Sequence, residues 1–156
     1  MYLCEKTGKM KDMNDRNLAK EINEAVNAAN DALYYLGNAE EKLKSAQRWG
    51  IADILGGQMI ISAVKHSKIQ DAEEEVDYAC KALEKLNKEL GDVGEFYEID
   101  NNIGGLLSAI DVFMDNPITD LITQSRINDT LDKVKQAIAQ VEGVLDALED
   151  ITAERG

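Results

Sequence analysis

From residue 18 onward, apolar residues recur at alternating spacings of three and four, the rhythm of helices packed along a seam. The first run alternates Ile22, Ala29, Leu36 and Leu43 with Ala25, Ala32, Ala39 and Ala46. It predicts a helix over about residues 15–48, one column of which is entirely alanine and lets a neighbouring helix come close. A second run reads Ile69, Ala72, Val76, Ala79, Leu83, Leu86 and Leu90, and a shorter third reads Phe96, Ile99, Ile103, Leu106, Ile110 and Phe113. The last comprises Ile127, Thr130, Val134, Ala137, Val141, Val144, Leu148 and Ile151. Period-two alternation is absent, and the single proline, Pro117, falls between the third and fourth runs, where it breaks no helix. Ser67 and Ser125 stand as natural N-caps for helices 2 and 4, with Gln70 placed as in a capping box. Gly91 and Gly94 predict the turn between helices 2 and 3. Gly104 and Gly105 either sit inside the third helix, at about 1 kcal/mol each, or mark a break after Asp100-Asn101-Asn102.

The two halves of the chain resemble each other. Residues 53–88 set against 111–146 pair Asp53 with Asp111, Ile60 with Ile118, Ser67 with Ser125, Ile69 with Ile127 and Asp71 with Asp129. Shared heptads do not account for the Ser and Asp identities, so an internal duplication of a helix, an apolar connector and a helix is expected. The predicted fold is all-α, an up-down-up-down four-helix bundle built from two tandem helical hairpins. It forms a single domain over 15–152, with repeat halves of about 15–90 and 95–151, behind a flexible tail at 1–14. Both connectors are long and apolar: Trp49, Ile51, Ile54, Leu55, Met59 and Ile60 stand in one, Val112, Phe113, Met114, Ile118 and Leu121 in the other. Ordinary bundle loops are shorter and polar, so these are expected at one end of the bundle, packed together, with short helices near 59–65 and 118–123.

Composition narrows the function. The 156 residues hold 17 Lys plus Arg against 30 Asp plus Glu, a formal charge of −13. A chain this acidic is repelled by phosphate backbones, so no nucleic-acid partner is expected. One His excludes a His-rich metal centre and the paired Glu-x-x-His sites of di-iron bundles; no metal and no cofactor are expected. Two scattered cysteines, Cys4 and Cys80, do not make a disulfide framework. The start lacks the apolar core of a signal peptide, so a cytoplasmic location is expected. The most apolar stretch, 51–64, is interrupted by Asp53, Gly56, Gly57 and Gln58, which argues against a transmembrane segment.

The connector at 49–68 carries the candidate chemistry. Over residues 48–70, Arg48, Lys65 and Lys68 stand against Asp53 alone, a cationic island in an acidic chain. Either it neutralises Asp111, Asp115 and Asp120 of the second connector, or it holds an anionic group or a partner. In the second case Ser67 caps a helix whose amides favour negative charge, with Lys65, His66 and Lys68 alongside and Trp49 and Asp53 nearby. His66 is the one candidate general base, and the plainer role for it is a hydrogen bond at the bundle end. Surface membrane contact by this segment is not expected. Gly56-Gly57 lacks the flanking pattern of a phosphate loop and reads as a turn. Glu73, Glu74, Glu75 and Asp77 read as a solvated helix face. Helix 1 outruns helix 2, leaving part of the alanine column open, so Ala25, Ala32, Tyr34 and Tyr35 are the candidates for self-association.

The string Trp49-Gly50-x-x-Asp53-x-x-Gly56-Gly57, followed by Lys65-His66-Ser67-Lys68-Ile69-x-x-Ala72 and Glu89-Leu90-x-Asp92-Val93, resembles a family of small, uncharacterised bacterial all-helical proteins over about residues 40–150. The resemblance implies an all-helical fold with a marked connector and imports no activity. The adjacent Trp and Gly also resemble those of secreted WxG hairpin proteins, except that here no residue separates them and the hairpin occurs twice. No nucleophile, base and orienting group can be named together. The expected function is therefore a non-enzymatic cytoplasmic interaction or scaffold protein that forms a homo-oligomer or binds a protein partner. The alternative is a small-molecule or anion-binding bundle with its site at the 49–68 connector.

Overall fold

The computed structural model describes the backbone of residues 2–56, 59–94 and 124–155, with side chains over 16–49, 66–94 and 125–153. Three helices account for these residues: α1 (Tyr2–Gly56), α2 (Met59–Gly94) and α3 (Gln124–Arg155). The protein is all-α, and no strand occurs among the described residues. The heptad rhythm is the burial pattern itself. Leu18, Ile22, Ala25, Ala29, Ala32, Leu36, Ala39, Leu43 and Ala46 of α1 are buried, as are Ile69, Ala72, Val76, Ala79, Leu83, Leu86, Leu90 and Val93 of α2. In α3 the buried stripe is Ile127, Thr130, Leu131, Val134, Ala137, Val141, Val144, Leu148 and Ile151. A 3.5-residue seam keeps these side chains on one face only if the helices coil gently around each other. All of the apolar members belong to one core cluster.

α1 packs against both α2 and α3, whereas no Cα of α2 comes within 8 Å of one in α3 among the described residues. α1 and α2 run antiparallel, because Glu21 faces Glu89 and Asp92 at one end while Tyr35 meets Tyr78 further along. That register brings Ala25 and Ala29 level with Leu86 and Leu83, so small residues on one helix receive large ones from the other. α3 also runs antiparallel to α1, with Gln47 beside Asn128 and Lys44 sharing a cleft with Lys135. Apart from Ala82, whose counterpart Gln140 is exposed, the buried positions of α2 over 69–93 recur at the corresponding places of α3 over 127–151. The two helices thus offer α1 equivalent faces, as the internal resemblance of the sequence leads one to expect.

Several boundaries differ from those read along the chain. α1 extends from Tyr2 rather than residue 15, so the segment expected as a tail is helical, and it continues past residue 48 to Gly56. α2 begins at Met59, not Ser67, leaving only residues 57 and 58 between the two helices. Helix propagation adds a backbone hydrogen bond per residue, and 59–66 holds no proline to stop it, so the serine signal is overrun. Gly91 lies inside α2, which ends at Gly94. Ser125 lies in the first turn of α3, one residue inside Gln124. The third run at 96–113, the Gly104-Gly105 pair, Pro117, the second connector with its Asp111, Asp115 and Asp120, and the short helix at 118–123 lie outside the described residues.

Candidate functional site

The residues singled out on the 49–68 connector do not converge on a helix N-terminus. Ser67 stands two turns inside α2, with its amide in the helical ladder, and is exposed beside an exposed His66. Lys68 is half-buried, and Trp49 is half-buried near the far end of α1. The side chains of Asp53 and Lys65 lie outside the described residues. The amides expected to receive an anion at Ser67 are therefore already spent within the helix.

Self-association was expected at Ala25, Ala32, Tyr34 and Tyr35, and these residues separate into two kinds. Ala25 and Ala32 have no exposed surface and belong to the core cluster of the chain itself. They have nothing to offer a second subunit. Tyr34, by contrast, is 65% exposed, and with Tyr78 at 42% it is one of the two exposed large hydrophobic residues described. The two belong to one row: Tyr34 meets half-buried Tyr35 edge-on at 5.2 Å between centroids, and Tyr35 meets Tyr78 at 5.9 Å. Edge-to-face and tilted contacts at these distances are favourable arrangements for aromatic rings. Lys81 stands 6.0 Å over the Tyr78 ring and pairs with Asp77 at 3.1 Å, which leaves that end of the row electrically neutral.

The surface of α1 that leads to this row is unusual in charge. Asn23, Asn27, Asn30, Tyr34 and Gly37 follow one another on the exposed face at spacings of three and four, and none is Asp, Glu, Lys, Arg or His. Asparagine and glycine are poor helix formers. In a chain whose residues are 30% charged, Lys, Glu or Ala at these positions would stabilise the helix better. A Cβ added at Gly37 would meet nothing within 4 Å. The gap beside Tyr34 is open space on the surface.

Two further groupings carry charge. At one end of the α1–α2 pair, carboxylate oxygens of Glu21, Glu24 and Glu89 lie within 4.8 Å of one another, all three half-buried. Oε2 of Glu21 and of Glu89 are buried without a hydrogen-bond partner. The Glu21 carboxyl is raised above its ordinary value, first by desolvation and then by Glu24, Asp92 and Glu89, with Lys20 opposing. Cys80 is half-buried with its thiol pushed up to about 11 by burial, with Asp77 and Glu84 adding to it, so it is a poor nucleophile at neutral pH. Between α1 and α3 opens a cleft of about 430 Å³ lined by Lys44, Gln47, Arg48, Asn128, Leu131, Asp132 and Lys135. Of these cleft residues, Arg48 alone was singled out along the sequence as a candidate cation, because Lys44 and Lys135 lie far apart along the chain and outside the segment that concentrates positive charge.

No helix among the described residues is long and apolar enough to cross a membrane. In comparisons with known proteins, no family model, no curated protein and no solved structure matches this chain.

Proposed function

We propose that this protein is a non-enzymatic, cytoplasmic interaction protein that pairs with a second copy of itself through the uncharged strip of α1 and the tyrosine row beside it. The observation that carries this reading is the coincidence of exposed aromatic area with missing charge. Two copies of a chain with a formal charge of −13 repel each other over most orientations. A face bearing Asn23, Asn27, Asn30, Tyr34 and Gly37 removes that repulsion where the copies touch. Tyrosine supplies contact area at low entropic cost and asparagine supplies adaptable hydrogen bonds. The same reading takes the whole fold as a four-helix bundle of two tandem hairpins, with the run at 96–113 as its remaining helix. The support is geometric: α2 and α3 both flank α1 without approaching each other, as diagonal members of such a bundle do.

Sedimentation equilibrium over a concentration series tests the self-association. The wild type is expected to show a monomer–dimer equilibrium. Tyr34→Glu, which places a charge at the centre of the strip, is expected to weaken the dimer by about thirtyfold, the effect of losing one central aromatic anchor. A wild type that sediments as a monomer at every concentration, or a Tyr34→Glu variant that dimerises unchanged, overturns the reading.

A further inference from the structure

The cleft between α1 and α3 is cationic in a molecule that is otherwise strongly acidic. Lys44 and Arg48 project from successive turns of α1, Lys135 projects from α3, and Asp132 is the one acid among the lining residues. Lys44 is engaged by Glu40 at 2.9 Å. Among the described residues, neither Arg48 nor Lys135 is in an ion pair, and both are exposed. These two cations are held on facing helices with two units of positive charge to offset. Gln47 donates from Nε2 to Asn128 Oδ1 at 2.8 Å across the gap. That bond ties the helices together at the cleft and fixes the Asn128 amide, so that its Nδ2 is left as a donor. Buried Leu131 forms the apolar floor.

Such a set matches one ligand chemistry. A phosphate monoester carries close to two negative charges at neutral pH, which the Arg48 guanidinium and Lys135 ammonium would balance. Guanidinium groups present paired donors that fit phosphate oxygens, and a lysine acts as a point charge beside them. The volume of about 430 Å³ exceeds what a bare phosphate needs and falls in the range of small-molecule sites, roughly 300–1,000 Å³. Asp132 is the group left to receive the organic portion, since its carboxylate can only accept hydrogen bonds or pair with a cation. We infer that the α1–α3 cleft binds a small, soluble phosphate monoester whose organic portion carries an amine or hydroxyl group, with Arg48 and Lys135 holding the phosphate and Asp132 reading the other end. This site is separate from the self-association strip and does not depend on it.

The test is a titration followed by the side-chain amide of Asn128 in ¹⁵N-correlated NMR spectra, with inorganic phosphate and O-phosphoethanolamine as probes. Saturable shifts at Asn128 and at the Leu131 backbone amide are expected with both. The double variant Arg48→Ala/Lys135→Ala is expected to bind each probe at least about tenfold more weakly, the scale of one charge-assisted hydrogen bond. Lys81→Ala, which removes a cation remote from the cleft, is expected to bind like the wild type. Asp132→Asn separates ligand reading from mere charge: it is expected to bind inorganic phosphate several-fold more tightly and O-phosphoethanolamine more weakly. All these positions except Leu131 are exposed, so the variants keep the core intact, and circular dichroism verifies it. Shifts that never saturate, an unaltered affinity in the double variant, or an Asp132→Asn effect of the same sign for both probes overturns the inference. So does retention on phosphatidic acid vesicles without any soluble-probe binding, which would assign the phosphate to a lipid surface.

Discussion

Glu21 shows how much of a residue's behaviour is set by what faces it. Its sequence neighbours make it an ordinary helix-surface acid, but packing brings Glu89 and Asp92 of α2 against it and strips water from its carboxyl. A carboxyl raised in the folded state binds its proton more tightly there than in the unfolded chain. Its contribution to stability therefore worsens as pH rises from the ordinary value of 4.5 through the folded value, and is relieved on acidification through the same window. Glu21→Gln is expected to raise the melting temperature at pH 7 and to lose that gain near pH 4. Thermal melts at the two pH values check it, and an equal effect at both would show that the cluster carries no strain. Leu86, fully buried in α2, was legible as a core residue from its heptad place alone. Leu86→Ala is expected to cost about 2–5 kcal/mol in chemical denaturation, as for other buried leucines. Glu21 was not legible in that way, because its partners lie across an antiparallel register that no local pattern encodes.

At the scale of the element, periodicity was informative and punctuation was not. Every position of the predicted seams in α1, α2 and α3 is buried, because a helix with one apolar stripe has only one face to hide. The ends went differently. Ser67, Gln70 and Gly91 carry the signals of a cap and a turn, yet α2 runs through all three. A capping serine is worth about 1 kcal/mol, whereas each residue of helix continued before Ser67 adds a backbone hydrogen bond to the ladder. Glycines inside the helices offer a second test of the α1 strip. A Cβ at Gly143 in α3 would meet nothing within 4 Å, and the same holds at Gly37. Gly143→Ala is expected to raise stability by about 0.4–1 kcal/mol and leave association alone. Gly37→Ala is expected to stabilise the monomer by a similar amount while weakening the dimer, since its methyl fills the space beside Tyr34. Denaturation at low concentration, paired with sedimentation, reads both effects. If Gly37→Ala and Gly143→Ala behave alike in sedimentation, the strip is not the contact face.

For the whole molecule, net charge and its local exceptions predict opposite responses to salt. A chain at −13 resists meeting its own copy, and salt screens that repulsion over a Debye length of about 8 Å at physiological ionic strength. Self-association through the uncharged strip is therefore expected to strengthen as sodium chloride rises from low to physiological levels. Phosphate binding in the Arg48–Lys135 cleft is expected to weaken over the same range, because there salt screens an attraction. Sedimentation and the NMR titration, run in the same buffers, check the two signs together. What the sequence determined by itself was the all-α class, the buried stripes and the correspondence of the 69–93 and 127–151 segments, because these follow from spacing along one chain and from the need of each apolar stripe for cover. Tertiary structure decided which surfaces remain. It placed Ala25 and Ala32 in the core, left Tyr34 and Tyr78 in the open, and brought Lys44 and Arg48 to the same cleft as Lys135. The reason is physical: burial within a helix has a period that a sequence displays, whereas the meeting of side chains on different helices depends on the direction and register in which those helices pack.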